Sequence, residues 1–355
     1  MREYRAENVK LIGRTQEEGG ILWLALSGSG LEFVFHGRKA QLVITGDGAT
    51  SGEPVSYARY AVYVDGVRTV DDMLGEPERV VELFSSEESR DVTITFLKLS
   101  EAENSSIGIR SIQTDDDALI QPAPARELKL EFIGDSITCG YGVDDEVPEH
   151  SFSTATEDAT RAWAWKAARM LDADYSLVSY SGHGIVSGYT DNGEREVTML
   201  VPPVYRQFAK TYGSSKGYYS EERPWDFTRF VPDIVVINLG TNDDSYTGDD
   251  PERAQEYIGG YVSFLKVVRE CNPGAHIVCA LGAMGDRLYP AMEEAVRRFR
   301  ETTGEEHIST CHLTPQDGST GYVADFHPTE RTHERAAREL VEHMYRHVSC
   351  VFRMS

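Results

Sequence analysis

The first third of the chain alternates apolar and polar residues in the way that half-buried β-strands require. In Val92–Phe96 the apolar side chains occupy every second position, so one strand face can be buried while the other meets solvent. Asp65-Gly66 separates two such runs and predicts a hairpin, because both residues tolerate positive φ. About eight short strands at this spacing predict a β-sandwich of jelly-roll type over residues 1–120. The predicted strands are Ile21–Leu26, Leu31–His36, Ala40–Thr45, Tyr60–Val64, Val67–Val70, Arg79–Phe84, Val92–Leu99 and Ser106–Ile112.

Beyond residue 126 the pattern changes to strands that alternate with amphipathic helices. Gln121–Arg126 is predicted to be a linker, because its prolines stiffen the chain and cannot donate ladder hydrogen bonds. The alternation indicates an α/β domain over residues 127–355, with a mainly parallel sheet covered by helices on both faces. The predicted strands are Lys129–Gly134, Ser176–Ser181, Ile234–Leu239, Ile277–Leu281 and Ile308–Leu313, and the predicted helices are Arg161–Leu171, Pro251–Cys271, Tyr289–Glu301 and Pro328–His347.

The composition disfavours several kinds of partner. A formal net charge of −23 argues against nucleic acid and anionic membranes, since their phosphates attract lysine and arginine. No apolar run approaches the roughly 20 residues that span a bilayer, and the first residues lack the apolar core of a secretory signal. The 5 cysteines form no Cys-x-x-Cys pair and are expected to be reduced. We therefore expect a cytoplasmic protein with a neutral substrate, and the oligomeric state stays open.

A turn of small residues follows the first strand of the second domain. The strand ends in Gly134-Asp135-Ser136, and reactive groups collect at the carboxyl ends of strands in α/β domains. A serine at such a turn can present its hydroxyl to a cleft, although Gly, Asp and Ser also favour ordinary turns. Ser136 is therefore a candidate nucleophile that needs support from other segments.

A serine hydroxyl needs a base before it can attack a carbonyl group. Of the 10 histidines, His327 stands directly ahead of the last predicted helix, where Pro328 suits the helix start and fixes the junction. His327 is the candidate base. His343 and His347, at i and i+4, can face a metal from one helix side, but no third ligand accompanies them. We expect neither a metal nor another cofactor.

Acyl transfer also needs hydrogen-bond donors for the developing oxyanion. Gly182 follows the second strand of the domain and can offer its backbone N–H, while Asn242 follows the third strand and can donate from its side chain. The backbone N–H of Ser136 is a further candidate donor. Because a parallel sheet brings its carboxyl ends to one edge, we expect these residues to converge near His327.

The order of these blocks resembles the GDSL or SGNH hydrolase family, whose members supply a Ser, a Gly, an Asn and a His from four segments. The matching stretches here are Gly134-Asp135-Ser136-Ile137, Gly182, Gly240-Thr241-Asn242-Asp243 and His327-Pro328. With the preceding β-sandwich and the stretch Pro224–Phe227, they look most like carbohydrate esterase family 2. That family is similar in pairing a jelly-roll domain with a three-layer α/β hydrolase domain.

The resemblance implies a specific activity. It implies that Ser136 and His327 form an acetyl-serine intermediate, with the oxyanion held by Ser136, Gly182 and Asn242. The implied substrates are acetylated oligosaccharides from plant glycans such as mannan or xylan, with removal of primary 6-O acetyl groups favoured. If the cytoplasmic expectation holds, these substrates are imported fragments and not polymers.

One position departs from the family pattern. The broad family places an Asp three residues before the His, where this chain has Ala324, and the nearest acid is Asp325. Two alternatives follow: a Ser136–His327 dyad oriented by a nearby backbone carbonyl, or a triad that uses Asp325. The resemblance favours the dyad, since some members of carbohydrate esterase family 2 work without a third residue.

Aromatic residues in the loops after the strands are candidates for a sugar-binding rim. The predicted rim residues are Trp225, Tyr246 and Tyr289, and Tyr189 and Tyr205 are further aromatic residues in or near these loops. Burial in the core is the competing interpretation for each, because large aromatic side chains contribute strongly to cores. For the β-sandwich, structural packing competes with a role in carbohydrate contact.

Two other functions stay open. A lipase or thioesterase of the same family would use the same catalytic groups with an apolar rim, whereas Asp144–Glu146 and Asp243–Asp250 make these loops acidic. A carbohydrate-binding protein would use the sandwich and leave an inert hydrolase domain, although an inert domain has no physical need for all four candidate residues. Acetate release from a small activated ester distinguishes an esterase from a binding protein.

Overall fold

The computed structural model describes residues 2–210 and 223–348, which fall into two compact units. The first unit holds the chain up to Arg126, together with Ser153–Glu157 and the described part of 207–224; the remaining residues form the second. The prediction of two contiguous domains, 1–120 and 127–355, thus differs by two short insertions of later chain into the first unit. Hydrogen bonds explain one of them, since Glu157 accepts the backbone N–H of Glu101 at 2.7 Å.

The first unit contains one ten-stranded sheet whose strand pairs are all antiparallel. Its strands are β1 (Arg2–Tyr4), β2 (Lys10–Ile12), β3 (Thr15–Glu18), β4 (Ile21–Leu24), β5 (Gly30–Gly46), β6 (Ala58–Val64), β7 (Val67–Leu74), β8 (Glu78–Lys98), β9 (Ile107–Thr114) and β10 (Leu119–Pro122). The predicted Asp65-Gly66 hairpin joins β6 to β7, and Asp65 has the positive φ (51°) that such a turn requires.

Two strands are much longer than the alternation predicted. The runs Leu31–His36 and Ala40–Thr45 are parts of β5, which passes through a bulge between Gly37 and Lys39 instead of turning. The last two predicted strands before β9 merge into β8 in the same way. The first half of β5 pairs with the second half of β8, while β9 pairs with the second half of β5. Side chains from both halves form one apolar core. The predicted β class of the first domain is confirmed, and its strands form an antiparallel sheet.

The second unit contains a five-stranded parallel sheet of order β12-β11-β13-β14-β15. Its strands are β11 (Lys129–Gly134), β12 (Asp174–Ser179), β13 (Ile234–Asn238), β14 (His276–Leu281) and β15 (Ile308–His312). The helices are α1 (Ser136–Cys139), α2 (Trp163–Met170), α3 (Thr241–Thr247), α4 (Pro251–Cys271), α5 (Tyr289–Thr303) and α6 (Glu330–His347). The predicted α/β fold class is confirmed. None of the helices in the described ranges has the length and apolar character that a bilayer crossing requires.

The register of this sheet aligns the ends of three neighbouring strands. Gly134 at the end of β11 lies opposite Ser179 of β12 on one side and Asn238 of β13 on the other. The three turns that follow carry Ser136, Gly182 and Asn242. The carboxyl edge of the sheet therefore brings together segments that are far apart in the sequence.

Candidate active site

Ser136 opens the one-turn helix α1 directly after β11. Asp135 caps this helix, because its carboxylate accepts the N–H of Ile137 at 3.0 Å. The turn needs small residues: a Cβ on Gly134 would lie 2.1 Å from the Thr138 hydroxyl. As a first-turn residue, Ser136 has a backbone N–H without a helical acceptor, and the described residues provide no other backbone acceptor for it.

The hydrogen bonds of His327 place its ring against Ser136. His327 Nε2 lies 2.9 Å from Ser136 Oγ, and Nδ1 lies 3.2 Å from the carbonyl oxygen of Ala324. Donation from Nδ1–H to that carbonyl leaves Nε2 as the acceptor for the serine hydroxyl. This pattern corresponds to the predicted dyad with a backbone carbonyl. The helix that follows begins at Glu330 and not at Pro328, with Thr329 as its cap.

The protonation state of His327 suits a general base. Burial lowers its pKa to about 4, while hydrogen bonding to Ala324 acts in the opposite direction. The imidazole is therefore neutral at neutral pH, and Nε2 has a lone pair for the proton of Ser136.

Asn242 and Gly182 provide donors beside this pair. Asn242 Nδ2 lies 2.9 Å from the carbonyl oxygen of His183 and 3.3 Å from an Asp135 carboxylate oxygen, so one amide hydrogen is firmly held and the other only weakly. Gly182 has a φ of 72°, and a Cβ there would meet Met199 at 2.3 Å. In the described ranges no backbone group accepts the N–H of Gly182. The site therefore holds two backbone donors and one side-chain donor.

Asp243 has a role that the sequence did not reveal. Its buried carboxylate accepts the backbone N–H groups of Ile185, Val186 and Ser187 at 2.7–3.1 Å, which fixes the loop after Gly182. Burial raises its pKa to about 6 despite these hydrogen bonds. A carboxylate next to Asn242 thus orders the loop that carries the neighbouring donor.

The carboxylate of Asp325 makes no hydrogen bond to the imidazole of His327, although the backbone and the charge of Asp325 both act to raise the pKa of that ring. Asp325 has a φ of 49°, and its carboxylate accepts the hydroxyl of Tyr141. The Tyr141 ring in turn stacks on His327, with ring centroids 4.0 Å apart and planes 18° from parallel. Tyr141 is not among the residues predicted from the sequence, although its position five residues after the nucleophile, in Gly140-Tyr141-Gly142, is a usable signal.

Two of the three predicted rim residues are buried, which corrects that prediction. Trp225 is 6% exposed, and the Arg229 guanidinium lies over its ring at 4.8 Å. Tyr246 is 9% exposed and lies under Arg253 in the same way, at 4.4 Å. Sugar stacking requires an open ring face, and cations cover these rings.

The third rim candidate, Tyr289, stacks on His312 with ring centroids 4.3 Å apart, and no described contact joins it to the Ser136–His327 pair. Two other aromatic residues near the site are exposed, and one of them, Tyr189, is among the loop aromatics named from the sequence. Phe326, 53% exposed, adjoins His327, and Tyr189, 60% exposed, bonds through its N–H to the carbonyl oxygen of Gly182 at 2.8 Å.

Two sequence families match this chain. Residues 132–335 match the GDSL-like Lipase/Acylhydrolase family. Residues 11–124 match the Carbohydrate esterase 2 N-terminal family. The two matched ranges correspond to the parallel-sheet and antiparallel-sheet parts of the chain.

Curated relatives extend this similarity. Over 320 residues the chain is 30% identical to the Cellulase/esterase CelE of Acetivibrio thermocellus, covering 89% of this chain and 36% of that protein. It is 27% identical over 282 residues to an acetylxylan esterase / glucomannan deacetylase of Cellvibrio japonicus, covering 79% and 74% of the two chains. The chain thus spans about a third of the length of the first relative and about three quarters of the second.

Solved structures share the whole two-unit fold. A family two carbohydrate esterase from Clostridium thermocellum, solved in complex with cellohexaose, superposes with a TM-score of 0.81 at 27% identity, over 96% of this chain and 99% of that one. The acetyl xylan esterase Est2A from Butyrivibrio proteoclasticus has a TM-score of 0.88 at 24% identity and 98% coverage of both chains, a likeness of fold.

Proposed function

Because the chain belongs to the GDSL-like lipase/acylhydrolase family, we propose that it is a serine esterase that removes acetyl groups from carbohydrates. The observation that carries this proposal is the 2.9 Å approach of His327 Nε2 to Ser136 Oγ beside the donors of Ser136, Gly182 and Asn242. Carbohydrate specificity is supported by the match of residues 11–124 and by relatives described as acetylxylan esterases.

The first half of the proposed reaction forms an acetyl-enzyme. His327 Nε2 takes the proton of Ser136 as Oγ attacks the acetyl carbonyl carbon. The backbone N–H groups of Ser136 and Gly182 and the amide of Asn242 stabilise the oxyanion. To do so, the Asn242 hydrogen leaves its 3.3 Å contact with Asp135. The intermediate collapses as His327 returns the proton to the departing sugar oxygen.

The second half releases acetate. His327 removes a proton from water as the water oxygen attacks the acetyl-serine, and the same donors stabilise a second oxyanion. This intermediate collapses as the bond between the carbonyl carbon and Ser136 Oγ breaks, and His327 returns the proton to Oγ. Throughout both halves, Nδ1–H stays bonded to the carbonyl oxygen of Ala324 and keeps the ring in the required tautomer. No cofactor is needed in this scheme.

We propose acetylated oligosaccharides of the mannan or xylan type as substrates, with 6-O acetyl groups favoured. The name of one relative includes glucomannan deacetylase, and another relative was solved with a bound cello-oligosaccharide. A neutral glycan suits a chain of net charge −23 better than an anionic one does. The cytoplasmic location stays a prediction.

The deciding experiment is acetate release from acetylated manno- and xylo-oligosaccharides. Wild type is expected to release acetate, and Ser136→Ala to lose this activity while staying folded. Ser309→Ala is a matched control, because Ser309 Oγ also lies 3.1 Å from a histidine nitrogen, at the other end of the sheet. Release by Ser136→Ala equal to wild type would refute the proposal.

The same experiment separates the rival functions. Hydrolysis of long-chain acyl esters or thioesters in preference to acetylated sugars would support a lipase or thioesterase. Sugar binding with no hydrolysis of any ester would indicate a carbohydrate-binding protein.

A further inference from the structure

In the part of the chain that the structure describes, no carboxylate is hydrogen-bonded to the ring of His327. Nδ1 is bonded to the carbonyl oxygen of Ala324, whose side chain is fully buried against Gly142. A Cβ on Gly142 would lie only 2.8 Å from the Ala324 Cβ, so the chain is packed tightly at the position where an acid would orient the imidazole. The orientation of His327 therefore depends on the Ala324 carbonyl and on contacts with residues other than an acid.

Tyr141 makes one of these contacts. Its ring lies nearly parallel to the imidazole, 4.0 Å away between centroids, and Phe152 supports it at 4.8 Å. The Tyr141 N–H donates to the carbonyl oxygen of Ser136 at 3.1 Å. Gly140 adopts a left-handed conformation, with φ of 81°, and this lets the chain turn back so that the Tyr141 N–H reaches the Ser136 carbonyl. One short turn thus carries both Ser136 and the ring that faces His327.

Asp325 completes the arrangement from the other segment. Its positive φ directs the carboxylate to the Tyr141 hydroxyl, and its N–H donates to the carbonyl oxygen of His150 at 3.0 Å. The acid is therefore linked to the imidazole through an aromatic ring, in addition to the direct effect of its charge on His327. This link joins the segment of Ser136 to the segment of His327.

We propose that Tyr141 is a positioning residue for His327 and that it takes over the work of a triad acid. The inference rests on the proposed function. When the Oγ–H bond of Ser136 breaks and an Nε2–H bond forms on His327, the new positive charge faces the electron-rich ring of Tyr141. The hydroxyl bond to Asp325 increases the electron density of that ring and holds it in place.

Three variants test this inference. Tyr141→Leu removes the ring face, and we expect kcat to fall roughly tenfold with little change in KM. Tyr141→Phe keeps the stack and is expected to retain kcat within roughly threefold. Asp325→Asn keeps the hydrogen bond but removes the charge. We expect the acid limb of kcat/KM to move to lower pH in Tyr141→Leu and, by less, in Asp325→Asn.

The readout that separates positioning from general destabilisation is the pKa of His327, measured by NMR on protein with labelled histidine. A lower pKa in Tyr141→Leu, restored in Tyr141→Phe, supports the inference. Tyr289→Leu is the matched control, because it removes a tyrosine stacked on His312 and should leave the His327 pKa unchanged.

Two outcomes would overturn the inference. One is a folded Tyr141→Leu protein with wild-type kcat. The other is a loss of kcat with no change in the His327 pKa, which would indicate a structural role only. The NMR titration needs no substrate. Failure of the proposed function, seen as an inactive wild type, is therefore distinguishable from failure of this inference.

Discussion

Two serine hydroxyls in the second unit lie beside histidine nitrogens, at opposite ends of one parallel sheet. At the carboxyl end, Ser136 Oγ lies 2.9 Å from His327 Nε2. At the amino end, Ser309 Oγ lies 3.1 Å from His276 Nε2 and 3.0 Å from His343 Nε2. Burial lowers the pKa of all three histidines to about 4. By distance and by protonation state the two clusters are alike.

What differs is the backbone around each serine. Ser136 begins a helix, so its N–H has no helical acceptor, and no described backbone carbonyl accepts it. Ser309 is the second residue of β15, where the chain continues as a strand and no helix terminus offers donors. A serine–histidine hydrogen bond is thus a common way to satisfy buried polar groups, and the donors beside it distinguish a catalytic pair.

Replacing a histidine in each cluster should give the largest difference in activity between the two clusters. His327→Ala is expected to lower kcat by roughly 10⁴-fold or more, because no other base reaches Ser136 Oγ in the described ranges. His343→Ala is expected to leave kcat unchanged. Initial rates on a small acetate ester, with circular dichroism to verify folding, test both. Equal losses in the two variants would contradict the assignment.

Loss of an oxyanion donor is expected to have the second-largest effect on activity. Asn242→Ala is expected to lower kcat by roughly 10²–10³-fold, as loss of an oxyanion donor does, with a small effect on KM. Asn272→Ala is the control: its buried amide donates to the Tyr205 hydroxyl at 2.7 Å and has no contact with the site. It should lower stability but not the kcat of the folded fraction. An Asn242→Ala enzyme with wild-type kcat would exclude this amide from the oxyanion hole.

The pH dependence of activity sharpens the comparison further. Activity requires neutral His327, whose pKa burial lowers to about 4. We expect the protonation of His327 to lower kcat/KM with a one-proton slope near that value. His343→Gln should not shift this limb. If kcat/KM instead falls at a pH near the ordinary pKa of histidine, His327 is solvated in the working enzyme.

Much of this site was predictable because it depends on local patterns. Strands β11 and β13 and helix α4 were predicted within a residue, since continuous apolar runs and the Asp250–Pro251 start mark them clearly. The convergence of the site residues follows from the topology, because strand ends meet at one edge of the sheet. These residues are Ser136, Gly182, Asn242 and His327. The two long bent strands of the first unit were missed, because a bulge and a turn look alike in sequence.

The features that could not be predicted from the sequence depend on packing between distant segments of the chain. Whether Trp225 is open depends on Arg229 lying over its ring, and no periodicity in the sequence encodes that contact. The bond from Tyr141 to Asp325 spans 184 positions and needs a positive φ at a non-glycine residue. Such contacts become visible only when both segments are placed in the fold.

The smallest expected effect concerns stability at the amino end of the sheet. Ser309→Ala leaves two partly buried imidazole nitrogens without a shared partner and should lower the free energy of unfolding by about 1–2 kcal/mol, with no change in kcat. His276 and His343 have lower pKa values in the folded protein than in the unfolded chain. On acidification the unfolded chain therefore takes up protons on these residues at a higher pH than the folded protein does. Their contribution to stability is thus present above about pH 6.5 and is lost as the pH falls towards 4.

Urea unfolding followed by tryptophan fluorescence, at several pH values across that window, measures both effects. The slope of stability against pH should become shallower in His343→Gln, because one titrating group has been removed. An unchanged slope would mean that His343 titrates alike in the folded and unfolded states. A change in kcat in Ser309→Ala would mean that the two ends of the sheet are coupled, and the contrast between them would no longer be one of independent sites.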